Sequence, residues 1–78
     1  NNNKNLTKVT IGTNIVKINR NAFFNCKNLK TVTIKSVYLT RKTANKKAFK
    51  NAHKKLVIRV PKKVKKIYKK IFKGLKVK

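Results

Sequence analysis

Leu6-Thr7-Lys8-Val9-Thr10-Ile11 returns 23 residues later as Leu29-Lys30-Thr31-Val32-Thr33-Ile34, and this pair of hexamers decides the fold. Each copy alternates apolar with polar residues and is rich in β-branched types, so each reads as a short strand that buries Leu, Val and Ile on one face. A looser third copy runs from Lys55 to Val60. There Ile58 and Val60 stand 26 residues after Val32 and Ile34, with Lys55 in the leucine place. Between the strands, Ala22-Phe23 with Asn25-Cys26 comes back as Ala48-Phe49 with Asn51-Ala52, again 26 residues apart. Two independent blocks share one offset, which predicts an array of units that bury their faces against one another.

The order Leu-x-x-Val-x-Ile, then Ile-x-x-Ile, then Asn-Ala-Phe-x-x-Cys-x-x-Leu resembles the BspA-like leucine-rich repeat family of bacterial surfaces and some protozoa. The matching residues are Leu6, Val9, Ile11, Ile15, Ile18, Asn21, Ala22, Phe23, Cys26 and Leu29, continuing through Val32 and Ile34. The second repeat departs from the pattern, with Val37 and Leu39 in an altered turn and Ala52 in place of Cys. The stretch from Val60-Pro61 to Tyr68-Lys69-Lys70 looks like the lysine-rich C-terminal end of such proteins. The resemblance implies an α+β fold, a short right-handed leucine-rich-repeat solenoid of two to three strand-plus-turn or strand-plus-helix units, in a secreted or bacterial cell-surface protein. The repeats fall at about 6–28, 29–54 and 55–61, so that 1–61 is the repeat region and 62–78 a C-terminal cap and tail. Members of the family adhere to matrix, host proteins or other cells, so the likeness is informative about fold and names no ligand.

The tail has its own pattern. After Pro61, residues Val64, Ile67, Tyr68, Ile71, Phe72 and Leu75 are spaced as one helical stripe, with Lys62, Lys63, Lys65, Lys66, Lys69, Lys70 and Lys73 on the remaining face. Gly74 supplies a stop, which predicts an amphipathic helix from about Lys62 to Lys73. An array cannot leave its last apolar face open, so the helix is expected to cap the solenoid. A basic amphipathic helix is also the kind that enters anionic membrane interfaces, which makes the same six apolar residues a candidate membrane wedge. Two or three repeats are few for a long binding horseshoe, and the chain is expected to be the C-terminal part of a longer array.

Charge sets the functional expectation. The 78 residues hold 24 Lys or Arg and no Asp or Glu, for a formal charge of +24. With acids at about half of the roughly 25% charged residues of an average protein, a chance run of this length without one is on the order of one in ten thousand, so the absence has a cause. Every lysine meets solvent counterions or an external anion. The bases are 21 Lys against Arg20, Arg41 and Arg59, which favours point-charge attraction over bidentate reading of phosphates and bases. The expected partners are anionic polymers or lipid head groups: teichoic acid, anionic membrane, heparin-like glycan, with nucleic acid as the alternative. The polyanion-binding candidates are Lys62, Lys63, Lys65, Lys66, Lys69, Lys70 and Lys73. In free form such a molecule is expected to act as an antimicrobial by membrane disruption; as part of a larger surface protein it is a structural or adhesive module.

Catalysis has few materials. No carboxylate side chain is present for acid–base work or for hard metals, the single Cys26 excludes an internal disulfide, and no zinc spacing occurs. The expectation is no enzyme, no cofactor, no metal and no small-molecule substrate. A 26-residue offset sets Cys26 over Ala52, beside His53, but only Asn21, Asn25 or Asn51 could orient that imidazole, and Cys26 reads as a buried apolar residue. Among the aromatics, Phe23 and Phe49 take core places and Phe72 the helix stripe, leaving Phe24 and Tyr38 as exposed candidates for base stacking. No apolar run approaches the roughly 20 residues of a spanning helix.

Overall fold

The repeated hexamers lie side by side. A computed structural model of the chain describes residues 5–19 and 22–78. Asn21, one of the family-matching residues and a candidate imidazole orienter, lies outside the described residues, as does Arg20. Strands β1 (Lys8–Ile11), β2 (Thr31–Ile34), β3 (Val57–Arg59) and β4 (Lys76–Val77) form one sheet in the order β1-β2-β3-β4. All three pairings are parallel, with Val9 opposite Val32, Val32 opposite Ile58 and Ile58 opposite Val77. Parallel neighbours cannot be joined by a tight hairpin. Each connection therefore leaves the sheet and returns, and the connections carry a short 3-10 helix at Lys46–Phe49, another at Lys62–Val64, and the helix α1 (Lys65–Ile71).

Of the expected inward face, Ile11, Val32, Ile34 and Ile58 are buried and Val9 is half-buried beside them, whereas Val60 falls just outside β3 and is half-buried; Val77 of the unexpected β4 is buried on the same face. The Leu-to-strand turn also repeats: Leu29 N–H donates to the Cys26 carbonyl and Leu56 N–H to that of His53. This corrects the third repeat. Leu56, not Lys55, fills the leucine place, and Lys55 is exposed. One residue fewer separates that leucine from the strand, an offset that simple subtraction of 26 hides.

Stacking continues away from the sheet. Phe23 N–H donates to the Ala48 carbonyl and Asn25 N–H to that of Lys50. The two asparagines share the left-handed backbone, with φ of 60° at Asn25 and 63° at Asn51, a conformation Asn tolerates better than other side-chain-bearing residues. Their side chains pair, Asn51 Nδ2 donating to Asn25 Oδ1 at 2.7 Å. Beneath them the Phe23 and Phe49 rings stack with centroids 5.5 Å apart and planes 1° from parallel, and Phe72 adds a third ring 5.7 Å from Phe49.

The tail departs from expectation. The α-helix covers Lys65–Ile71 rather than Lys62 to Lys73; its lead-in is the 3-10 turn after Pro61, and Phe72 caps it. The chain then turns through Gly74, at φ 92°, and adds β4, a strand that the helical stripe had concealed by absorbing Leu75. Seven residues are too few for a helix to persist alone, so α1 depends on what it buries. Tyr68 supplies the hydrogen-bonded part of that anchoring beside the buried Ile71 and Phe72. Its hydroxyl donates to the Ser36 carbonyl at 2.8 Å and accepts the Leu39 N–H at 3.2 Å, while the buried Ser36 hydroxyl donates to the Ile15 carbonyl. Among the described residues no buried side-chain polar atom lacks a partner.

Candidate polyanion-binding surface

With no acidic side chain in the chain, no Lys or Arg can be neutralised by a neighbouring carboxylate side chain. The structure turns Lys62, Lys63, Lys66, Lys69, Lys70 and Lys73 outward as exposed residues and leaves Lys65 half-buried. These seven residues share one element, the 3-10 turn, α1 and its exit. Lys69 and Lys70 sit in the last turn, where cations favour the helix dipole. The outer face of the sheet carries further bases, Lys8, Lys76 and Arg59, in two rows. Lys8, Thr31, Val57 and Lys76 are paired across all four strands, and Thr10, Thr33 and Arg59 across three.

The wedge candidates are placed otherwise. Val64, Tyr68, Ile71 and Phe72 are buried in the core, Tyr68 and Phe72 with 0% exposure, and Leu75 is half-buried against it. Ile67 alone of the six is exposed, at 55%. The stripe is not a free apolar face, because the helix already spends it on the sheet and on the Phe23–Phe49–Phe72 column. Entry of this stripe into a bilayer would require α1 to undock and lose the Tyr68 hydrogen bonds. Among the described residues no helix is long and apolar enough to cross a membrane.

Of the base-stacking candidates, Tyr38 is exposed and Phe24 half-buried. Cys26 is enclosed in the core at 0% exposure. The His53 ring is engaged locally, its Nδ1 accepting the Lys55 N–H at 3.0 Å.

A feature absent from the sequence reading is a groove of about 1130 Å³. Lys46, Lys47, Lys50, Lys54, Lys55 and Lys76 contribute to its lining, as do Phe49, Leu56 and Leu75. The available signal was the echo of Leu56-Val57-Ile58 in Leu75-Lys76-Val77, which marks a fourth strand and sets Lys76 opposite Val57, on the groove that Lys54 and Lys55 also line.

The family model described as BspA type leucine rich repeat region (6 copies) matches residues 1–78. No curated protein and no solved structure matches the chain. The matched pattern spans the repeated strands, the asparagine turns and the phenylalanine column alike: this chain belongs to the BspA-type leucine-rich repeat family.

Proposed function

We propose that this chain is a non-enzymatic, cationic repeat module of the bacterial cell surface or of a secreted protein, and that it holds anionic envelope polymers or anionic membrane surfaces. The observation that carries this reading is the charge: 24 bases and no acids on one small body. Such a surface binds polyanions by releasing their counterions, with little selectivity among teichoic acid, heparin-like glycan and nucleic acid. The sheet is read as a short solenoid whose last coil is closed by α1 and β4. The membership supports a surface setting, where envelope polymers rather than nucleic acid are the polyanions at hand.

Of the two envelope roles, holding is favoured over disruption, because the apolar stripe needed for insertion is buried in the core. Vesicles of anionic and of neutral lipid, loaded with dye and mixed with the protein at about 150 mM salt, test this. The expected result is sedimentation with anionic vesicles alone and less than about one-tenth of the dye released, since attraction near the surface is worth about 1 kcal/mol per Lys while no free wedge is offered. Binding to neutral vesicles would contradict a charge-driven role. Extensive release from anionic vesicles would show that α1 undocks on lipid and restore the antimicrobial reading.

A further inference from the structure

The steps between paired strand residues are 23 residues from Lys8 to Thr31, 26 from Thr31 to Val57 and 19 from Val57 to Lys76. The last coil is the shortest, and it follows the longest. A short coil stacked on a long one leaves part of the longer one uncovered. The groove lies at that step, with Phe24 from the first coil, residues 46, 47 and 49–56 from the second and residues 74–76 from the third around it.

We infer that this groove is a binding site for an anionic amphiphile, a phosphate or similar head group carried on an alkyl chain. The inference rests on the reading that the lysines gather anions, and gives one such anion a seat. Its charge complement is one-sided. Six lysines stand around the groove and no acidic side chain exists anywhere in the chain, so an occupant bearing net positive charge is repelled. Its floor is of the other kind. Phe49 and Leu56, with the half-exposed Ala52 and Leu75, give the interior an apolar lining that a bare phosphate or a sugar would leave unmatched. An apolar floor with a few polar groups at the edge is the usual composition of a small-ligand site. His53 lines the groove as well, and with its Nδ1 accepting the Lys55 N–H the other ring nitrogen, Nε2, is the one left to donate.

The experiment uses dodecyl phosphate below its micelle concentration, followed by calorimetry and by protein NMR, with inorganic phosphate and neutral dodecyl maltoside as comparisons. Two triple variants carry the same net charge: Lys54→Gln, Lys55→Gln, Lys76→Gln around the groove, and Lys63→Gln, Lys66→Gln, Lys70→Gln around α1. The expected result is one dodecyl phosphate bound at least about tenfold more tightly than inorganic phosphate, since burying even two methylenes is worth that factor. The groove variant should lose about tenfold and the helix variant less than about twofold. In the unaltered chain the shifted resonances should gather at His53, Leu56 and Leu75. Equal losses in both variants, shifts spread along α1, equal affinity for inorganic phosphate, or equal binding of dodecyl maltoside would overturn the groove site. The wider polyanion reading fails separately, by absence of binding to anionic vesicles and polymers in the unaltered chain.

Discussion

Phe49→Ala is expected to leave most of the chain unfolded at 25 °C. Phe49 is 2% exposed and forms the middle of the aromatic column, stacked on Phe23 and tilted by 59° against Phe72. Truncating such a ring removes its transfer free energy and leaves a cavity between Phe23 and Phe72, a loss of about 3–5 kcal/mol. A chain of this length has a total stability of roughly 4–12 kcal/mol at ordinary values per residue, and mutual repulsion of its bases holds it near the lower end. The loss therefore approaches or exceeds the whole. Far-UV circular dichroism and urea titration read the outcome. Phe24→Ala, at a half-buried place on the groove wall, is the control and should cost less than about 2 kcal/mol. Equal midpoints for Phe49→Ala and the unaltered chain would contradict the assignment of the column as the centre of the core.

Raising monovalent salt from about 10 mM to about 150 mM is expected to raise the melting temperature by roughly 10 °C, a shift that follows from relieving about 2 kcal/mol of repulsion in a domain of this size. The described body measures 30 × 20 × 18 Å. At the lower salt the screening length is about 30 Å, so every base interacts with every other; at the higher it is about 8 Å, and only near neighbours do. Folding brings the charges closer together than they stand in the expanded chain, so the repulsion weighs more on the folded state and its screening stabilises that state. No acidic side chain is present whose attraction would be screened in opposition. Thermal denaturation followed at 222 nm measures the shift. A melting temperature that stays flat or falls as salt is added would show that repulsion does not set the stability.

How much of this was legible in the sequence depended on how local the signal was. The pairing of β1 with β2 follows directly from the repeated hexamers, because the last four residues of one copy stand opposite their counterparts in the other. The stacking of Phe23 on Phe49 and of Asn25 on Asn51 follows from the second offset in the same way. The third repeat was misplaced by one residue at its leucine, where a shortened turn lets Leu56 do from two residues away what Leu29 does from three. The tail was harder. Val64, Tyr68, Ile71 and Phe72 do turn inward as the helical spacing requires, yet the same spacing swept in Ile67, which points to solvent, and Leu75, which belongs to the turn into β4. A stripe read from periodicity alone cannot tell where a seven-residue helix gives way to a strand. The groove was not legible at all, because its lining comes from three separate connections between strands, a relation between elements rather than a property of any one. Six of the seven candidate lysines around α1 are exposed as their spacing requires, and Lys65 is half-buried; the groove lysines come together only once Lys76 is placed on a strand.

The most direct test of the central claim is the salt dependence of binding to a soluble, unbranched phosphodiester polymer, followed by calorimetry between 50 and 200 mM salt. If about six phosphates are neutralised, the plot of log affinity against log salt should be linear with a slope of about −4, an affinity loss of about 300-fold across that range. A slope near zero, or no binding at the lowest salt, would contradict the account that these lysines serve to hold an external polyanion.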